Sequence, residues 1–193
     1  ERAILEAEDG DVNREGLIAA EENGRVIRWH LGKILTYCVR RSTFVNDLEY
    51  QTVVDNLSLA AAAWESVCGV RFRHLIEYDL AEPAGAKTVL FDVIYTLVNA
   101  QNYIATAFFP YTQAEKRHLR VYPLYFTKHG YDPIGVFRHE LGHVLGFRHE
   151  HIRAPQVMDC GDELPGVHRT LTPYDSKSVM HYLCKNHVGG NLQ

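Results

Sequence analysis

Residues 139–150 read HELGHVLGFRHE, and this stretch decides the fold to be expected of the whole chain. On an α-helix, side chains four positions apart lie on the same face, so His139 and His143 can present two imidazoles to one ion. Gly146 permits the positive φ that ends a helix, and the chain can then turn back and bring His149 to the same ion. Three neutral nitrogens leave one position of a tetrahedral zinc open, which distinguishes a catalytic zinc site from a structural one.

Glu140 lies one step further round the helix than His139. It is too close to the backbone turn to be an easy third ligand, yet it is placed to reach a water on the metal. The sequence therefore predicts Zn²⁺ as the cofactor, His139, His143 and His149 as its ligands, and Glu140 as the general base. The competing interpretation is a solvated helix face that happens to be rich in His and Glu.

Length and composition indicate one domain, with two lobes around a cleft. The chain has 193 residues, of which 46% are hydrophobic and 23% charged, as in ordinary globular proteins. A net charge of -4 and a pI near 6.3 give no reason to expect nucleic acid or an anionic membrane as a partner. No apolar run is long enough to span a bilayer. The start lacks the features of a signal peptide, but the chain begins without Met, so secretion is not excluded.

Four cysteines, Cys38, Cys68, Cys160 and Cys184, allow three disulfide pairings. The pairing of Cys160 with Cys184 is favoured, because both lie in the region after residue 150, where little regular structure is expected and a crosslink helps most. The alternative is four buried thiols. No Cys-x-x-Cys pair occurs, so a second, structural zinc is not expected.

The pattern along the chain predicts an α+β fold. Residues 1–28 are charged and poor in large apolar groups, which is more typical of a leader than of a core element. A long helix capped by Asn46 or Asp47 should run to about Val67, and Asp132-Pro133 should start the helix that carries the first two histidines and ends near Gly146. Extended runs are expected at 34–39, 70–75, 89–95, 104–108 and 119–126, and the region after His149 should be irregular.

The string H-E-x-x-H-x-x-G-x-x-H resembles the metzincin clan of zinc endopeptidases, which also carries a Met-turn downstream. Residues 174–182 read YDSKSVMHY, and this string resembles the Met-turn of the astacin family. Glu150 directly after the third histidine, and Arg153 after it, are similar to that family as well. The resemblance is strongest over about residues 132–182. It implies a metzincin-like fold, in which an upper lobe with a mixed twisted sheet and two long helices faces an irregular lower lobe across the zinc cleft.

The resemblance also implies roles for single residues. Met180 would form a hydrophobic base beneath the zinc without binding it. Tyr182 would be a fifth zinc ligand that can leave the metal and stabilise the oxyanion, whereas an isolated tyrosine would be a packing residue. Glu150 pairs with the N-terminal ammonium in mature astacins, although taken alone it would be a solvated carboxylate. Astacins often favour an acidic residue just after the cut, and Arg148, Arg153 or Arg169 could line such a pocket.

Residues 8–12, EDGDV, resemble the inhibitory stretch of astacin propeptides, whose aspartate binds the zinc in place of water. By this resemblance Asp11 is a metal ligand that keeps a zymogen latent, residues 1–28 are a propeptide or leader, and residues 29–193 are the catalytic domain. Maturation would then cut between about Asn13 and Trp29. The alternative for Gly10-Asp11 is a simple surface turn.

Taken together, these features predict a secreted, monomeric zinc endopeptidase that acts on protein or peptide substrates. One alternative is a non-catalytic zinc-binding module that uses the fold as a scaffold. Retention of Glu140 argues against it, because the three ligands alone would suffice to bind zinc. A second alternative is a zinc amidase of another clan, against which the Met-turn string speaks.

Overall fold

A five-stranded sheet packed against two helices supplies most of the core, and a smaller second sheet supports the histidine-bearing segment. The structure is a computed structural model that describes residues 17–80, 89–100, 103–127, 130–153 and 168–181. The strands are β1 (Ile18–Glu22), β2 (Arg25–Val26), β3 (Ile34–Val39), β4 (Arg71–His74), β5 (Phe91–Tyr95), β6 (Ala105–Thr106), β7 (His118–Val121), β8 (Phe147–Arg148) and β9 (His168–Thr170). The two α-helices are α1 (Asp47–Glu65) and α2 (Pro133–Leu145).

The larger sheet has the strand order β4-β3-β5-β7-β6. Its first four strands are parallel, and β6 is an antiparallel edge strand beside β7. Because side chains alternate between the two faces of a strand, Leu35, Tyr37 and Val39 share one face of β3. That face joins the buried residues of both helices in one hydrophobic cluster. The sheet is thus mixed, as the family resemblance implies.

Helix α1 begins where the sequence predicts. Asn46 is the N-cap, and its side chain accepts a hydrogen bond from the Glu49 amide at 2.9 Å. The buried residues of α1 recur at helical spacing and pack against α2 and the sheet. They are Val53, Leu57, Ala60, Ala61 and Trp64. The helix ends at Glu65, two residues before the expected limit, and Ser66 follows it as the C-cap.

Buried Asp79 fastens α1 to the strands beneath it. Its carboxylate accepts hydrogen bonds from the Val39 amide at 2.7 Å and from the Tyr50 hydroxyl, and it also contacts the His74 ring at 2.9 Å. Burial raises the pKa of Tyr50, the hydrogen bond to Asp79 raises it further, and the phenol therefore stays a donor. A single carboxylate thus joins β3, β4 and α1.

The second sheet has β1 at its centre, with β8 on one side and β9 on the other. Strand β2 continues from β1 through a tight hairpin whose two turn residues, Asn23 and Gly24, have φ of 53° and 76°. Ile18 to Ala20 are at most 5% exposed. Residues 1–28 were expected to be poor in core residues. Residues 18–20 are nevertheless buried, between β8 and β9.

The α+β class is confirmed, with the mixed sheet and two long helices that were expected. The runs at 70–75 and 89–95 form strands within one or two residues of the expected bounds, and two other runs are much shorter than expected. The run at 119–126 ends as a strand at Val121, because Pro123 has no amide hydrogen and begins a 3₁₀ turn over Pro123–Phe126. The run at 104–108 keeps only Ala105–Thr106 as a strand. No helix in the described ranges is both long and apolar enough to cross a membrane.

Candidate active site

Helix α2 positions the first two histidines as the sequence predicts. The side chain of its N-cap, Asp132, accepts from the Gly135 amide at 2.7 Å, and Pro133 lies in the first turn. The helix ends at Gly146, whose φ of 106° lies in the left-handed region. The chain turns there into β8, and His149 follows.

The three histidines converge on one point. Among the described residues, His139, His143 and His149 form a group whose ligand atoms lie within 4.8 Å of one another. The Nε2 atom of His149 lies 3.0 Å from Nε2 of His139 and 3.0 Å from Nε2 of His143. This convergence is the arrangement that the spacing of the motif predicts.

The hydrogen bonds of the ring Nδ1 atoms test whether a zinc ion fits. Nδ1 of His139 lies 2.7 Å from the Val179 carbonyl oxygen, and Nδ1 of His143 lies 2.9 Å from that of Phe147. A carbonyl oxygen only accepts, so each Nδ1 is assigned the proton and each Nε2 a lone pair. One N–H of His149 cannot point along both lone pairs, whereas a cation among the three nitrogens satisfies all of them. The donor set fits zinc.

Burial dominates the electrostatics of the site. Burial, and then the repulsion that a protonated His139 would exert, lowers the pKa of His149 to about 2, so its imidazole is neutral, as a zinc ligand must be. Burial also raises the pKa of the Glu140 carboxyl to about 8. This raised pKa applies to the pocket without a metal. A divalent cation nearby would lower the pKa of Glu140. Glu140 is only 7% exposed, so it does not belong to a solvated helix face.

The segment 178–181 lies beneath helix α2. Met180 is fully buried, and its sulfur lies so close to Gly142 that a Cβ atom there would be 2.2 Å from it. The Val179 carbonyl meets His139, so this turn also orients a ligand. Met180 is therefore packed against the helix that carries the first two histidines, and its role beneath a zinc ion stays a prediction. The need for glycine at position 142 is not apparent from the ligand motif, although a glycine inside a helix is a signal of close packing.

Glu150 ties the third ligand to this turn. Its amide donates to the Met180 carbonyl at 2.8 Å, and its carboxylate accepts from the Asp175 amide at 3.0 Å. The residue is fully buried, unlike the solvated carboxylate that its position alone would indicate. Glu150 therefore holds the segment after His149 against the segment that carries Met180.

Two aromatic rings border the centre on the side of β6. The Phe109 ring lies 5.2 Å from that of His143, and Tyr111 stacks on Phe109 at 5.4 Å with an angle of 3° between the planes. Tyr111 is 50% exposed. No sequence motif predicted this pair. Its only signal was the run of aromatic residues between two extended segments.

Several residues singled out from the sequence lie outside the described residues. They are Asp11, Tyr182, Cys160 and Cys184. Of the described cysteines, Cys38 is a buried free thiol. Burial raises the pKa of the Cys38 thiol to about 11. Of the arginines considered for an acid-binding pocket, Arg169 is engaged by the Glu21 carboxylate at 2.9 Å and by the Gly24 carbonyl at 2.7 Å.

Residues 28–181 match the peptidase family described as Matrixin. The chain belongs to the matrixin family. Together with the histidine triad, this membership gives a site of the metzincin type and confirms the predicted zinc cofactor. The match covers the larger sheet, both helices and the Met180 turn.

Two curated relatives are similar over a short stretch. The astacin-like metalloendopeptidase of Mus musculus is 43% identical over 61 residues, which cover 25% of this chain and 14% of the relative. The dorsal-ventral patterning protein tolloid of Drosophila melanogaster is 36% identical over 67 residues, which cover 26% of this chain and 6% of the relative. The matched part of the chain is thus a small fraction of either relative.

Two solved structures of myroilysin have a similar fold. One has a TM-score of 0.52 and 15% identity, and covers 84% of this chain and 85% of that one. The other has a TM-score of 0.52 and 17% identity, with coverages of 85% and 79%. At such low identity the likeness shows the fold alone.

The contact between Gly142 and Met180 leads to a first prediction. Gly142→Ala should lower the melting temperature and weaken zinc binding, because the fully buried Met180 side chain must move, and it lies on the turn that orients His139. We expect overpacking to cost about 1 to 3 kcal/mol, partly offset by the better helix propensity of alanine. Thermal unfolding and zinc titration measure the two effects.

A double variant provides the control. Met180→Ala removes the clashing sulfur, so Gly142→Ala should cost less in that background than in the parent. Equal costs in both backgrounds would contradict the proposed contact.

Proposed function

We propose that this chain is a zinc endopeptidase of the astacin type, which hydrolyses peptide bonds within protein substrates. The observation that carries the proposal is the buried side chain of Glu140, which directly follows the ligand His139 on helix α2, together with the convergence of His139, His143 and His149. Zinc binding needs only the histidines. A carboxylate held in a buried pocket next to them is an additional requirement of hydrolysis.

Within the metzincin type, which includes both matrixins and astacins, the following features support an astacin-type site. The string SVMHY at 178–182 and Glu150 after the third histidine are the residues that resemble the family. The short identities to an astacin-like metalloendopeptidase and to tolloid point the same way. Glu150 also contacts the Met180 turn directly, through the hydrogen bond from its amide to the Met180 carbonyl.

In the proposed mechanism, the chain supplies the ligands and the proton carrier. His139, His143 and His149 hold the metal, and a bound zinc ion acts as a Lewis acid that polarises the scissile carbonyl and makes water a better nucleophile. Glu140 accepts a proton from the attacking water as the new C–O bond forms. It then passes that proton to the amine nitrogen as the C–N bond breaks. One water is consumed, and Glu140 returns to its starting state.

The edge of the larger sheet offers a place for the substrate. β6 is its last strand, and a peptide in extended conformation can add beside such an edge through backbone hydrogen bonds. Phe109, three residues after β6, contacts the ring of His143. A peptide along β6 would therefore run towards the metal centre. Because backbone pairing needs no free terminus, this mode of binding suits an endopeptidase.

The role of Glu140 is the most direct test. Glu140→Gln should lower kcat on casein by at least about 10² to 10⁴-fold while zinc binding is retained, because the amide cannot carry the proton. Glu77→Gln, which changes an exposed acid, should leave both quantities unchanged. Activity and bound zinc are measured on the same samples.

Either of two outcomes would contradict the proposal. Full activity in Glu140→Gln would exclude the general-base role. An inactive parent that binds zinc, even after release of its leader, would favour the non-catalytic zinc-binding module.

We propose Tyr182 as the residue that stabilises the developing oxyanion. It directly follows His181, whose amide donates to the Ser178 carbonyl at 2.9 Å within the turn beneath the helix. Tyr182→Phe should lower kcat by about 10² to 10³-fold with little change in KM and with zinc retained, because only the transition state loses a donor. A packing tyrosine would instead show reduced thermal stability and near-normal kcat.

We further propose that residues 1–28 contain an inhibitory leader in which Asp11 is the zinc-binding switch. Aspartate supplies a hard anionic oxygen suited to zinc, and Gly10 permits close approach of the backbone. Asp11→Ala should raise the activity of the intact chain, measured on a short peptide, while Asp9→Ala should not. Equal activity in both variants and the parent would remove Asp11 from the proposal. Secretion and a monomeric state remain predictions from the sequence.

A further inference from the structure

The segment 17–28, here called the strap, contacts the turn between the second and third histidines. The Ala20 amide donates to the Gly146 carbonyl at 2.9 Å, and the Ile27 amide donates to the Ala20 carbonyl at 2.8 Å. The Ile27 carbonyl lies against Gly146, where a Cβ atom would be only 2.3 Å from its oxygen. Directly after the strap, the Trp29 indole donates to the Val144 carbonyl at 2.7 Å. The end of helix α2 is therefore built against the strap.

The strap also pairs with the residues that lead to the third ligand. In the β1–β8 ladder, Ala19 lies opposite Phe147 and Ile18 opposite Arg148, and the next residue is His149. The Phe147 carbonyl meets Nδ1 of His143. A two-residue strand such as β8 has no stability of its own, since its position depends on its partner strand. Through its pairing with β8, the strap thus helps to position both His143 and His149.

On its other side the strap holds the segment that precedes the Met180 turn. β1 pairs with β9 over three residues, the Leu17 amide donates to the Thr172 hydroxyl at 2.7 Å, and the Leu171 amide donates to the Leu17 carbonyl at 3.1 Å. Glu21 adds the ion pair with Arg169. β1 is therefore the common partner of β8, which leads to His149, and of β9, which precedes the Met180 turn.

We infer that the strap is a positioning element of the zinc site that fixes His149 through β8, so that the functional catalytic unit begins at or before Leu17. The family match begins only at residue 28, the last residue of the strap. If a leader is removed, a cut that leaves an active enzyme falls before Leu17, which narrows the window of 13–29 considered above. The inference rests on the zinc triad and requires neither peptidase activity nor a role for Asp11.

A matched pair of cavity variants tests the positioning role in the full chain. Ile18 in the strap and Leu57 in helix α1 are both fully buried, so Ile18→Ala and Leu57→Ala each leave a comparable cavity. All forms carry Asp11→Ala, which keeps the leader proposal out of the comparison. The readouts are the melting temperature, the rate of zinc release to a chelator well below that temperature, and the absorption spectrum of the Co²⁺-substituted protein.

Ile18→Ala should speed zinc release by about 10 to 100-fold and alter the cobalt spectrum, as expected when a partner that orients a ligand is lost. Leu57→Ala should leave the spectrum unchanged even if it lowers the melting temperature as much. If the two variants change zinc release equally, the strap is merely structural and the inference is wrong.

Cleavage after folding tests the boundary itself. A protease site inserted directly before Leu17 should be cut without changing the zinc release rate. Deletion of residues 17–28 from the same chain should produce at least the loss seen in Ile18→Ala. A deleted chain that folds and holds zinc as firmly as the parent would show that the unit begins later. If the deleted chain does not fold, the comparison of Ile18→Ala with Leu57→Ala decides.

Discussion

Three imidazole nitrogens held about one hydrogen-bond length apart are the constraint on which the lower lobe depends. Nε2 of His149 lies 3.0 Å from each of its two counterparts. Backbone carbonyls set the tautomers of His139 and His143, so two lone pairs face the third ring. Such an arrangement is unfavourable without a cation and has to be held by the surrounding structure. Zinc binding therefore contributes directly to the stability of this region.

The surrounding structure holds the three rings by different means. His139 and His143 are fixed by helix α2, which packs against α1 and the larger sheet through a continuous apolar cluster. His149 follows a strand of only two residues, and its position comes from backbone pairing with β1 and from the contacts of Glu150 with the Met180 turn. Two ligands thus depend on hydrophobic packing and the third on hydrogen bonds. Hydrogen bonds are more local and more easily lost. Structural changes elsewhere in this region should therefore displace His149 more readily than the other two ligands.

The part of the site that could be predicted from the sequence is the part governed by short-range rules. The helical repeat places His139 above His143, Asp132 and Pro133 begin their helix, and Gly146 ends it with a positive φ. The parallel strands were recognisable because β3 and β5 are rich in β-branched and aromatic residues. The Met180 turn was recognisable only through a family string, since nothing in a lone methionine predicts its contact with Gly142.

What the sequence could not show depends on pairing between distant residues. β1 meets β8 and β9 more than 120 positions further along the chain, and neither partner strand exceeds three residues. Short strands carry little periodicity, so charged surroundings made residues 1–28 look like a leader throughout. Burial distinguishes a leader from a part of the folded domain, because Ile18 is fully buried and Ala19 is 2% exposed. A propeptide that only blocks a cleft need not bury its side chains in the lobe that carries the ligands. The strap does so, and for this reason we assign residues 17–28 to the metal centre, which leaves residues before Leu17 as the place for any removable switch.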